Sequence, residues 1–224
     1  LAGVNAATAF AHAKGIPLVL TTHQQGHAAA ALFAAKGEQL FAEKVLLFHI
    51  SGGTTDLLLC DQVRRITTLG TSTDLYAGQA VDRVGVRLGF GFPAGAEVSR
   101  LAAQCTEEIK PKSSVKGMQC SLSGLENQCN ALLAAGKSPE YVSKYCLLCV
   151  AETLRRMAAA ALERNPGLPV VFAGGVMSSE IVRDYITKRM QYAYFVPGKF
   201  ASDNAIGVSI LAAREINAWP NTSM

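Results

Sequence analysis

The chain has 224 residues, half of them hydrophobic and 17% charged, with 21 lysines and arginines against 17 aspartates and glutamates. No apolar run approaches the roughly 20 residues of a membrane span, and no stretch has the pattern of a secretory signal. The net charge of +4 contains no lysine–arginine block; it permits an anionic substrate or RNA without demanding either. The expectation is a cytoplasmic α/β protein with a real core, built as one large domain or two small lobes.

The first residues, Leu1 to Lys14, form a helical pattern stopped by Gly15, and Ile16–Thr21 follows as a strand. This helix has no preceding strand to pack on and no initiator Met, so an N-terminal portion is expected to be missing. Next come Thr22-His23-Gln-Gln-Gly-His27 and an alanine-rich helix to about Lys36. On a helix, His23 and His27 share one face, a spacing that lets two imidazoles grip one metal ion. The plainer alternative is one capping and one exposed histidine. His12 and His49 read as ordinary helix and strand residues.

Lys44 to Cys60 is a strand, a tight turn at Ser51-Gly52-Gly53-Thr54-Thr55, and a return strand. Entered through Ile50, that turn gathers backbone N–H groups and hydroxyls where a phosphate would fit, though glycine turns between strands are often only turns. Val63–Gly70 reads as a third strand. A helix follows with Tyr76, Ala80, Val84 and Leu88 on one face, leaving Asp82 off that stripe as a solvated carboxylate or an acceptor for a ribose diol. The glycines of Gly89–Gly95 let backbone approach a flat ligand.

Ala96–Cys105 is helical, about 107–118 is an exposed connection, and Ser121 opens a helix to Ala135. Ser138-Pro139 caps a long amphipathic helix. Of the six cysteines, Cys146 and Cys149 fall on one helical stripe with Val150, Leu154 and Met157, so they read as buried core thiols. The last third is a βαβα run: strand 168–173, the turn Gly174-Gly175, helix 177–189, strand 193–196, and a final helix capped by Ser202-Asp203-Asn204. A Gly-Gly turn at a strand's carboxyl end is where open α/β sheets bind nucleotides.

These motifs together resemble the TsaD family, once classed as glycoproteases (peptidase M22, O-sialoglycoprotein endopeptidase) and known for tRNA threonylcarbamoyl transfer. The resemblance runs from residue 1 to about 214. It rests on His23-x-x-x-His27, Ser51-Gly-Gly-Thr-Thr55, Gly78-Gln-Ala-Val-Asp82-Arg83, Phe92-Pro-Ala-Gly95, Cys120-Ser-Leu-Ser-Gly-Leu125, Gly174-Gly-Val176 and Ser202-Asp203-Asn204. It implies the actin-like ATPase and sugar-kinase (ribonuclease H-like) fold, mixed sheets flanked by helices with the first lobe incomplete. Residues 1–43 would be a remnant of that lobe, 44–202 the second lobe, and 203–224 a helix returning to the first.

The resemblance further implies a divalent metal, zinc or ferrous iron, on His23, His27 and Asp203. It implies an adenine nucleotide, ATP or threonylcarbamoyl-AMP, held by Ile50, Ser51, Gly52, Gly53, Thr54, Thr55, Asp82, Gly95, Gly174, Gly175 and Ser179. The implied partners are tRNA, a homologous dimer partner and an ATPase subunit. The departures are Thr54 for the family's His or Asn, Gln79 for Glu, Glu126 for Lys and Ser179 for Asn, which suits a divergent paralogue. Two other readings stay open: a metal-dependent hydrolase or ATPase with a non-RNA substrate, and a non-catalytic paralogue subunit.

Overall fold

The computed structural model describes residues 2–198 and 205–216. Its centre is a five-stranded sheet in the order β3-β2-β1-β6-β7. The strands are β1 (Lys44–Ile50), β2 (Thr55–Asp61), β3 (Arg65–Thr71), β6 (Val170–Ala173) and β7 (Ala193–Phe195). β1, β2 and β3 are antiparallel neighbours, whereas β6 runs parallel to both β1 and β7. A two-stranded hairpin, β4 (Ser114–Lys116) with β5 (Gln119–Ser121), is joined to the chain just after β3 by a single bridge, Ser72↔Cys120.

Eight helices complete the described chain: α1 (Ala2–Lys14), α2 (His23–Lys36), α3 (Ala77–Arg87), α4 (Gly95–Ala102), α5 (Ser123–Ala134), α6 (Pro139–Arg164), α7 (Glu180–Thr187) and α8 (Ala205–Glu215). β1 is buried on both faces, as its unbroken apolar run requires. Leu46, Phe48 and Ile50 point into a large core with α3 to α7; Val45 and Leu47 point into a smaller one under α2 and α8. On the large-core face Phe48 stacks on Phe172 at 4.9 Å and Phe172 on Phe195 at 5.4 Å, tying β1, β6 and β7 together.

α6 is the longest helix because Ser138 accepts a hydrogen bond from the Tyr141 N–H at its start and Pro139 supplies a helical φ. Its stripe includes Cys146 and Cys149, both buried, and all six cysteines are free thiols. Burial pushes the Cys60 thiol up to about 12, and burial likewise raises Cys149 to about 11 against the opposing Lys112 N–H.

Two local expectations need correction. Ile16–Thr21 is not a strand. Alternating apolar residues there have no described neighbouring strand to bond, and Ile16, Leu18 and Leu20 are 50, 42 and 70% exposed. The segment 107–118 is not wholly a connection, because its end pairs as β4 through Val115↔Cys120.

Candidate functional site

β1 and β6 run parallel and both end at glycine turns, so their carboxyl ends open one crevice. The two turns are locked together through backbone. Gly174 has φ +109 and lies against the Ile50 carbonyl, where no side chain would fit. On the other side Gly78, at the start of α3, donates its N–H to the Ser51 carbonyl at 3.1 Å. A Cβ there would stand 2.6 Å from the Gly52 nitrogen. Thr55 fastens the same joint from inside, accepting from the Ala77 N–H at 2.8 Å and donating to the Thr54 carbonyl.

A cavity of about 520 Å³ opens between these turns, α3, α4 and α6. Ser51, Gly52, Asp82, Gly95, Gly175 and Ser179 all line it, although they come from four separate segments. Val81, Pro93, Ala96, Leu147 and Val176 supply apolar wall, and Ser99 and Ser178 add two further hydroxyls. Asp82 is the one carboxylate among the residues that line it. One Asp82 oxygen accepts from the Ala94 N–H at 2.8 Å, which fixes the carboxylate and leaves its other oxygen without a described partner. Ser179 is 5% exposed and precedes α7 without capping it; its Oγ has no hydrogen-bond partner among the described residues. Such a hydroxyl fits a ligand atom.

The remaining expected contacts divide. Thr54 lines a different pocket, Thr55 is buried and committed to the joint, and Ile50 and Gly174, which meet each other through backbone, are not among the residues that line the cavity. The N–H groups of Gly53 and Thr54 both donate to Ser51 Oγ at 3.1 Å, and that hydroxyl also pairs with Thr54 Oγ1 at 3.0 Å, which closes the turn on itself.

Across the turn, between α2 and the sheet, lies the second pocket, of about 220 Å³. α2 begins at His23, earlier than its alanine run suggests, so both histidines are helical. Their Nε2 atoms are 3.2 Å apart and their rings meet edge to face. Two nitrogens on one tetrahedral zinc at 2.0–2.1 Å would be separated by about 3.4 Å. The 3.2 Å separation is that of a hydrogen bond between the two rings, and it is also compatible with two of the ligands of a divalent ion. Asp203 lies outside the described residues, and among the described residues no three donors converge on one point.

His49 was not expected here. Strand alternation puts it on the face under α2, beside Leu47, where its ring centroid is 5.4 Å from that of His27. Burial lowers its pKa, the neighbouring His27 and His23 lower it further, and Asp56 opposes them. Gly78, at the head of the Asp82 motif, lines the cavity as well, and so do Ser99 and Ser178, which no motif singled out and which only tertiary packing brings to the crevice.

The family profile described as tRNA N6-adenosine threonylcarbamoyltransferase, TsaD, matches residues 1–209. The chain belongs to the TsaD family. Proteins with that same description from Streptococcus suis and Streptococcus gordonii are 29% and 30% identical to it over 97% and 98% of the chain. The chain spans about two thirds of their length, 67% and 66%.

Solved structures agree on the fold, which is the actin-like ATPase fold. HypF from T. kodakarensis superposes with a TM-score of 0.69 at 14% identity, covering 96% of this chain and 39% of that one. The Clostridium difficile activator of 2-hydroxyisocaproyl-CoA dehydratase, solved with bound ADPNP, gives 0.57 at 13% identity, covering 91% and 72%. Among the described residues no helix is long and apolar enough to cross a membrane.

One TsaD-family departure has a visible counterpart. Glu126 pairs with Arg83 at 3.4 Å, so the inverted charge is matched by an α3 cation.

Proposed function

We propose that this TsaD-family chain transfers a threonylcarbamoyl group from its adenylate to an adenosine of tRNA. The observation that carries this reading is the shared crevice: six residues chosen from motifs far apart in sequence line one cavity, one turn away from the His23–His27 pair. The ribose diol donates to the Asp82 carboxylate, and the base lies between the Gly95 and Gly175 backbones, with Ser179 Oγ within reach of its edge.

The phosphate displaces Ser51 Oγ from the Gly53 and Thr54 N–H groups and takes their hydrogen bonds. Those donors stabilise charge on the leaving phosphate as the amine attacks the carbamoyl carbon. His23 and His27, with Asp203, would hold a divalent ion, which would supply Lewis acidity.

A second reading has its own support. The Arg83–Glu126 pair neutralises a cation in a neighbouring pocket that shares Asp82 with the cavity, which favours an acceptor other than RNA and a hydrolase or ATPase on the same site. Incubation with threonylcarbamoyl-adenylate separates the two. The transferase reading predicts AMP release that requires tRNA and leaves modified adenosine. Equal AMP release without tRNA, and no modified adenosine, would overturn it.

A further inference from the structure

We infer that an open groove on the outer face of α3 receives a single-stranded nucleotide of the RNA acceptor, its base stacked on Phe92 and its phosphate on Arg87. The inference rests on the transferase reading above. The groove, of about 520 Å³, is walled by Gln79, Arg83, Val86 and Arg87 of α3, Phe92 of the following loop and Glu126 of α5. Asp82 lines both this groove and the cavity beside it, so a ligand in the groove lies next to the seated adenylate.

Helical spacing builds the wall. Gln79, Arg83, Val86 and Arg87 recur on one face of α3, turned away from the buried Ala80 and Val84. Val86 is 52% and Phe92 78% exposed, so the apolar part of the groove is open to solvent. An uncovered aromatic ring beside a guanidinium offers a base its face and a phosphate its charge.

Charge and lining decide what the groove takes. Arg83 is engaged by Glu126 at 3.4 Å, whereas Arg87 makes no hydrogen bond or ion pair with any described residue. One uncommitted cation beside one open ring matches a single nucleotide. Stacking supplies most of the affinity, and one phosphate contact fixes the position of the strand. The Gln79 amide adds a donor and an acceptor for a base edge. A protein partner would instead need a wide apolar core around its anchor, and of the lining residues only Val86 and Phe92 are apolar.

The test is fluorescence anisotropy of a labelled short oligoadenylate, and of labelled tRNA, titrated with the full chain. Phe92→Ala should weaken both about tenfold, and Phe92→Tyr, which keeps the ring, should bind as the wild type does. Arg87→Gln should flatten the slope of log Kd against log salt concentration by about 0.7, the share of one phosphate on a single strand. Both side chains are exposed, so neither change empties the core, and thermal unfolding of each variant checks this. Unchanged RNA affinity in folded Phe92→Ala, the result a protein-binding groove would give, overturns the inference, as does an unmoved salt slope in Arg87→Gln. AMP release that needs no tRNA, alongside RNA binding that depends on Phe92, overturns the transferase reading instead and leaves the nucleotide groove standing.

Discussion

Gly78 and Ser51 touch through their backbones: the Gly78 N–H donates to the Ser51 carbonyl at 3.1 Å, and a Cβ on Gly78 would stand 2.7 Å from that same oxygen. This contact seats α3, and with it Asp82, against the glycine turn of the cavity. Gly78→Ala must push the helix or the turn aside. We expect a loss of about 1–3 kcal/mol in denaturant unfolding, together with weaker nucleotide binding.

His23→Ala should empty the metal site while the protein stays folded, because His23 is at the exposed start of α2 and contributes little to the core. Elemental analysis after dialysis checks this. The wild type should retain close to one divalent ion per chain and the variant far less.

Asp74 should govern acid sensitivity. Burial works to raise its pKa, but hydrogen bonds from the Ser121 and Ser123 hydroxyls and the Leu122 and Leu75 N–H groups outweigh it and hold the carboxylate well below its usual range. The Ser121 and Ser123 bonds are each 2.6 Å long and tie the loop before α3 to the start of α5. A group with a depressed folded-state pKa stabilises fully above its unfolded value, near 3.8, and loses that contribution as pH falls toward the folded one. Asp74→Asn should therefore be less stable at pH 7, by no more than about 1 kcal/mol because the carboxylate is exposed and screened by solvent, and should lose less on further acidification below pH 4 than the wild type. Parallel unfolding curves at both pH values check this.

The thiols should be inert. Five of the six cysteines are buried and Cys105 is half-exposed. Raised thiol pKa values slow reaction further. Native protein should react with a disulfide reagent at no more than Cys105 within minutes at pH 8, and at all six sites after denaturation. Fast reaction of several native thiols would contradict the packing of α6.

Where a local pattern settled an element, sequence and structure agree. The β1–turn–β2 unit, the Ser138-Pro139 start of α6 and the β6 Gly-Gly turn each carry their own punctuation. Asp82 was legible as off the apolar stripe of α3, and the structure puts it in the cavity. His49 was not legible, because nothing local says which face of β1 lies under α2; that follows from packing between elements distant in sequence. Ile16–Thr21 misled for the opposite reason. Its alternation is strand-like, but a strand also needs a bonded neighbour.

The most direct test of the account is calorimetric titration of AMP into the wild type and Asp82→Asn. The amide oxygen of Asn can still accept from the Ala94 N–H, so the local fold is kept. Loss of a charged acceptor for the diol should weaken binding at least tenfold, the equivalent of about 1.4 kcal/mol. Equal affinities in the two proteins would contradict a nucleoside seated at Asp82, and with it the proposed site.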